Sequence, residues 1–203
     1  MASRLAQNSE FDVSVIGHNY FAQPLEYCKL LDGTELKFKL FPGGRSSYAA
    51  DMLPFYIKSL QPHIFWVLLD SFMLMGAPGL PFGWFLNIDL APSKFVMYYP
   101  SDGEFFPRKC EEILKKSYKS VAMSKFAQKQ VADLFNIPAG YIPHGVDTNN
   151  YYPSEVDRIN GRNMYGIPHN YFVVGSVARK QGRKMIVTTV EMFAKFAKDK
   201  EDV

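Results

Sequence analysis

Ile142-Pro143-His144-Gly145-Val146-Asp147-Thr148-Asn149-Asn150-Tyr151-Tyr152-Pro153 decides how the rest of the chain is read, because it interrupts regular structure between two runs of strand and helix signals. Pro143 cannot extend a ladder, Gly145 can take dihedrals that other residues avoid, and Asp147 and Asn149 favour bonds from side chain to nearby backbone. A plain surface turn has the same composition. Read as a connector, the stretch sets residues 1–141 as one domain, 142–153 as an interdomain hinge and 154–203 as the start of a second domain.

Working back from the connector, strand and helix signals alternate. Residues 2–10 look like the tail of a helix, and 11–17 (F-D-V-S-V-I-G) read as a strand. His18 lies in the loop after it. In a sheet open at its carboxyl ends that loop faces a ligand crevice, which gives His18 two readings: an acceptor-site group, or a half-buried histidine bonded to backbone. Residues 36–41 (L-K-F-K-L-F) alternate apolar and basic, as an edge or half-buried strand does, and Pro42-Gly43-Gly44-Arg45 is its turn. Those glycines lack the spacing of a dinucleotide or Walker phosphate loop. A helix follows over 48–60. Residues 63–69 (H-I-F-W-V-L-L) are apolar at nearly every position, which predicts a central parallel strand covered on both faces, with Asp70 emerging at the crevice.

Residues 72–92 are apolar but punctuated by Gly and Pro, so they suit a loop or short helix beside the site better than a membrane span. Their surface has two readings, packing within the protein or peripheral contact with a membrane or hydrophobic acceptor. After a strand over 94–99, Asp102 and Glu104 flank Gly103. Their carboxylates suit either positioning and deprotonating a hydroxyl group or capping the helix expected over 106–117. A strand over 119–123, Ser124 as N-cap of a helix over 125–135, and a strand over 140–143 complete the half. Such alternation selects an α/β fold with a Rossmann-like, doubly wound parallel sheet. Past the connector, a helix over 155–165, a buried strand over 171–178 (Y-F-V-V-G-S-V-A) and a helix over 183–198 begin a second unit of the same kind.

The chain of 203 residues is 47% hydrophobic and 21% charged, as ordinary globular proteins are. Its net charge of +3 hides an asymmetry: residues 1–107 carry 7 basic and 10 acidic side chains, residues 108–203 carry 16 and 10. Cys28 and Cys110 are isolated and have no metal-ligand spacing, and no signal peptide is read at the start, so the expected compartment is the cytoplasm. Arg179, Arg183 and Lys184 are expected directly after the second unit's strand and at the amino end of its helix. There, backbone N–H groups, helix dipole and side-chain cations would converge on an anion such as a diphosphate. Ordinary solvated cations at a helix start are the other reading.

Several of these words together resemble the retaining, glycogen-synthase-like group of GT-B glycosyltransferases. I-P-H-G-V-D-x-x-x-Y-x-P at 142–153 is similar to that group's interdomain hinge, with His144, Gly145, Val146 and Asp147 in the hinge word. V-G-S-V-A-R-K-Q-G-R-K followed by V-E-M-F-A-K-F looks like the opening strand, loop and helix of its donor domain, and Y-Y-P-S-D-G-E and V-A-M-S-K-F-A-Q look like segments of its acceptor domain. The resemblance covers roughly residues 11–196 and implies hexosyl transfer from a nucleotide-diphosphate sugar, used as co-substrate without a further cofactor or metal. The acceptor would be a sugar, lipid or protein. Arg179 and Lys184 match the group's diphosphate-binding pair, with Arg183 beside them, and closure about the hinge would join the two halves. Asp102, with His18 behind it, is the candidate for acceptor-side chemistry. The group's opening strand and its paired-glutamate donor motif have no counterpart here, so a chain shortened at both ends and weak in donor affinity is expected. A different class remains open: a non-catalytic module using the 179–184 cations for nucleic acid or anionic surfaces, although the interleaved aromatics of single-strand binders are missing and no nucleic acid is expected.

Overall fold

The computed structural model describes residues 2–29, 35–36, 38–104 and 106–200, and the chain divides into two compact units, Met1–Gly145 and Val146–Val203. The first unit opens with helix α1 (Ala2–Leu5), shorter than the helix tail expected over 2–10. Strand β1 (Val13–Gly17) runs parallel to β4 (Phe38–Pro42), Val13 opposite Phe38 and Gly17 opposite Pro42. Between them β2 (Cys28–Lys29) and β3 (Glu35–Leu36) form an antiparallel pair. The expected strand over 36–41 includes Lys37, which lies outside the described residues, as does the side chain of Cys28. Next come α2 (Leu53–Leu60), β5 (Ile64–Leu68), α3 (Ser71–Met75), β6 (Lys94–Tyr99), α4 (Glu111–Lys116), β7 (Lys119–Ala122), α5 (Lys125–Phe135) and β8 (Gly140–Tyr141). The four later strands make one parallel sheet in the order β5-β6-β7-β8.

The fold is therefore α/β with parallel sheets, consistent with a Rossmann-like arrangement. In place of the single doubly wound sheet expected from the alternation, the described strands form two parallel pieces and a short antiparallel pair. Local chemistry explains the boundaries. Ser124 accepts the Ala127 amide at 3.0 Å to start α5, and Asn136 in the left-handed region (φ 54°) ends it. Pro54 sits in the first turn of α2, where its missing N–H costs nothing, so that helix starts at Leu53 and not at 48 as the apolar spacing suggests.

Strand β6 is the buried axis of the unit: every residue from Phe95 to Tyr99 is buried. Met97 and Tyr99 join the main core with Phe85, Ile113 and Val131, whereas Val96 and Tyr98 join a smaller cluster with Val121 on the other side. Each fully buried aliphatic or aromatic side chain contributes about 1.5–3 kcal/mol. Strand β5, expected to be central and covered on both faces, is instead at the edge of the sheet. Its Phe65 and Val67 pack on the core, but Ile64, Trp66 and Leu68 remain 56%, 39% and 48% exposed. A run that is apolar at every position carries no record of which face will be covered.

The apolar segment after β5 goes into the core. Leu74, Met75, Trp84, Phe85, Ile88 and Leu90 are buried. Among the described residues, no helix is long and apolar enough to cross a membrane. Lys116 holds the segment from below, its Nζ donating to the carbonyls of Phe85 (3.3 Å), Leu86 (2.6 Å) and Ile88 (2.8 Å). Burial lowers the pKa of this amine, and Asp89 opposes the shift.

In the second unit Ser154 caps α6 (Glu155–Tyr165) by accepting the Asp157 amide at 3.1 Å, and Gly166 (φ 64°) closes it. Arg162 ties the following loop down by donating to the carbonyls of Pro168 (2.5 Å) and Tyr171 (2.8 Å). A single 3-10 turn, Gly182–Lys184, precedes α7 (Ile186–Ala197), so the helix expected over 183–198 starts later. The buried strand expected over 171–178 does not form. Phe172, Val173, Val174 and Val177 are exposed, because among the described residues of this unit there is no strand to pair with it, and a strand without a ladder leaves its backbone groups to water.

Two stability predictions follow from the packing. The fully buried Tyr99 hydroxyl has no hydrogen-bond partner among the described residues, and burial raises its pKa above the ordinary phenol value of 10.0. The neutral phenol is thus favoured in the folded state, so the stability it supports is present below pH 10.0 and is lost as pH rises past that value toward the folded one. Tyr99→Phe is expected to raise stability by about 1–2 kcal/mol at neutral pH, through removal of an unpaired buried dipole, and to flatten part of the alkaline fall. Denaturant melts of both proteins between neutral pH and about pH 11 measure the two effects. Lys116→Met keeps the stem but orphans three carbonyls, and should cost about 2–3 kcal/mol in the same melts.

Candidate functional site

Because β5 to β8 run parallel, their carboxyl ends lie along one edge, and the loops that leave them share that edge. The loops after β5 and β6 border a cleft of about 130 Å³, lined by Asp70, Ser71, Phe72, Ser101, Asp102 and Phe106 among others. Asp70 is partly exposed and Asp102 exposed. The structure thus brings to one cleft the two carboxylates that the sequence placed at the ends of successive strands. The reading of Asp102 and Glu104 as helix caps is overturned. The chain turns first through a 3-10 turn, Arg108–Cys110, and neither Pro107 at its start nor Cys110 before α4 has a side-chain capping bond. The negative charges at the amino end of α4 are Glu111 and Glu112.

The β6 loop is held by a residue that the sequence gives no reason to single out. Gln130, on the inner side of α5, accepts from Ser101 Oγ at 2.6 Å and donates to the Gly103 carbonyl at 2.8 Å. Asp102 therefore sits between two anchored neighbours. Behind the cleft, Cys110 is free and buried, and burial raises the pKa of its thiol. A buried thiol of that kind packs as a small apolar group.

His18 lies elsewhere, at the carboxyl end of β1, and does not line this cleft. It is exposed, where the sequence suggested half-buried, but the expected backbone bond is present: its Nδ1 accepts the Tyr48 amide at 3.0 Å. The Tyr48 ring stacks on the imidazole at 4.8 Å with 9° between the planes. The turn that carries Tyr48 is clasped by Asp51, whose carboxylate accepts the amides of Arg45 (2.9 Å) and Ser46 (3.3 Å). The Arg45 amide and then the Ser46 hydroxyl hold that carboxyl below its ordinary pKa of 3.8. Gly43 makes the close approach possible, since a Cβ there would stand 2.7 Å from the carbonyl oxygens of both Gly17 and His18.

In the hinge word, His144 stacks on Tyr98 with ring centroids 5.6 Å apart, and the Tyr98 hydroxyl donates to the Ile142 carbonyl at 2.9 Å. Gly145 has neither a left-handed φ nor a close neighbour, so its backbone freedom is not used here. Within the second unit Val146 is exposed, and Asp147 makes the local bonds its side chain favours, accepting the Asn149 amide at 3.2 Å and the Asn150 side-chain amide at 3.1 Å.

Arg179, Arg183 and Lys184 are all exposed. Arg183 and Lys184 share the turn before α7, and Met185 (φ 50°) separates that turn from the helix. Arg179 precedes it in irregular chain. The convergence of a buried strand end with a helix amino end, expected from the sequence, is absent because the strand is absent; what remains is a run of exposed cations.

Comparison of the chain with protein-family models, with curated proteins and with solved structures finds no match.

The glycine contrast gives a direct test of how tightly the His18 loop is built. Gly43→Ala forces backbone to move and is expected to cost about 2–3 kcal/mol, whereas Gly145→Ala meets open space and should stay within about 0.5 kcal/mol of the parent. Chemical denaturation of both variants measures the difference.

Proposed function

We propose that the chain is a retaining glycosyltransferase of the GT-B type, whose first unit receives the acceptor and whose second unit supplies cations to the diphosphate of a nucleotide-sugar donor. The observation that carries this reading is the cleft at the carboxyl edge of two adjacent parallel strands, whose lining includes both Asp70 and Asp102 together with the partly exposed Phe72. Carboxylates accept hydrogen bonds from sugar hydroxyl groups, and an aromatic ring suits the apolar face of a sugar. A carboxylate bonded to the attacking hydroxyl orients it on the face that the diphosphate leaves, and the departing phosphate oxygen takes the proton as the bond from the anomeric carbon to the diphosphate breaks and the bond to the acceptor oxygen forms. The leaving diphosphate gains negative charge at that moment. Arg179 and Lys184, with Arg183, are the groups of the second unit suited to stabilise it, the arginines by bidentate bonds and the lysine as a mobile point charge. The resemblance of 142–153 and 174–184 to the hinge and donor-loop words of that group supports the class, and the donor sugar is a co-substrate in this reading.

The test is binding by the full chain of a panel of nucleoside diphosphates beside a single-stranded oligonucleotide, each over a range of salt. Nucleoside diphosphate is expected to bind in preference, and Arg179→Ala with Lys184→Ala should weaken it by on the order of 100-fold, as the loss of charge-assisted bonds implies. The thermal melt should be unchanged, since both side chains are exposed. Preference for the oligonucleotide, with affinity falling steeply as salt rises, would instead identify a nucleic-acid module.

A further inference from the structure

The turn between β4 and α2 is built at odds with its own sequence. Tyr48 (φ 56°) and Ala49 (φ 58°) are consecutive non-glycine residues in the left-handed region, where a side chain crowds the following carbonyl. Such a conformation persists only when its surroundings over-determine it, and observed strain of this kind is a pointer to function. Here the surroundings are explicit. The Asp51 carboxylate takes the Arg45 and Ser46 amides, the Asp51 amide donates back to Ser46 Oγ at 3.0 Å, and Ser47 Oγ donates to the Pro78 carbonyl at 2.9 Å.

What the strained backbone delivers is one N–H group and one ring, both to His18. The Tyr48 amide points at His18 Nδ1 from 3.0 Å and its ring lies flat on the imidazole. An N–H donor can be received only by a nitrogen with a free lone pair, so the neutral ring carries its proton on Nε2. No described residue partners Nε2, and His18 is exposed, so that proton faces outward at the carboxyl end of β1. A histidine serving only to fill space has no need of a fixed tautomer.

We propose that Tyr48 is a positioning residue that locks His18 as the Nε2–H tautomer, and that His18 presents this N–H as a fixed hydrogen-bond donor to an oxygen of a bound ligand. Sugar hydroxyl and phosphate oxygens share the chemistry that would accept it. Proton removal is then not the task of His18. This assignment stands whether or not the transferase reading holds, because it concerns one ring and the turn that grips it.

Long-range proton–nitrogen correlation NMR on the 15N-labelled full chain, at about pH 8.5 where imidazole is ordinarily neutral, reads the tautomer directly. A single Nε2–H form is expected for the parent. Tyr48→Gly keeps both the N–H and the positive φ and should retain that form, while Asp51→Ala releases the clasp and should give a mixture. An Nδ1–H form or a mixture in the parent overturns the proposal, as does a parent-like pattern in a folded Asp51→Ala. Where Asp51→Ala does not fold, Ser46→Ala replaces it with the same expectation. Methyl glucoside and inorganic phosphate, each titrated into the parent to tens of millimolar, separate the ligand sources. A saturable shift of the His18 Nε2 resonance with the glucoside assigns a hydroxyl partner, one with phosphate assigns an anion, and no shift with either sinks the donor role.

Discussion

Parallel strand pairing leaves a sheet whose two faces both need cover, and the first unit is arranged around meeting that need at β6. With Met97 and Tyr99 directed to one side and Val96 and Tyr98 to the other, neighbouring elements must supply apolar partners on both. Helices α2, α4 and α5 and the segment after β5 provide them on the first face; on the second, Val96 and Tyr98 pack beside Val121 and Met123 of the neighbouring strand and its exit, and Tyr98 lies against the rings of Trp66 and His144. Because the strands are parallel, the same constraint sends every exit loop to one edge. The cleft with Asp70 and Asp102 is a by-product of how β6 is buried.

Strongly patterned elements are legible in the sequence alone. The helices over 125–135 and 155–165 have a serine before them and a left-handed residue after them, and the strand over 94–99 is bounded by proline and glycine turns. The failures share a cause. Apolar runs at 63–69 and 171–178 announce strands to be buried, yet burial depends on neighbours that a local pattern does not contain. One became a half-covered edge, and the other is irregular and exposed. For the same reason Arg179, Arg183 and Lys184 keep their place in the chain but lose the scaffold expected to gather them.

The candidate groups show the same division. Asp70 and Asp102 were findable because a residue just past a strand must emerge at the sheet edge. Gln130, Tyr48 and Asp51 were not, since nothing local marks a glutamine reaching across to another loop, or a tyrosine with a glycine-like φ in a turn whose amides at 45 and 46 are taken by Asp51. Sequence shows where a reactive group leaves the fold. The side chains that decide its orientation come from positions chosen by packing.

The uneven cover of β5 also makes the protein its own reporter. Its two tryptophans stand in different surroundings: Trp84 is buried with its indole N–H donating to the Met73 carbonyl at 3.0 Å, and Trp66 is 39% exposed, with its ring edge-on to Tyr98. Blue-shifted, shielded emission belongs to the first, and red-shifted emission that iodide can quench belongs to the second. Spectra taken with and without iodide therefore separate events in the core from events on the half-covered side of β5 without any attached dye.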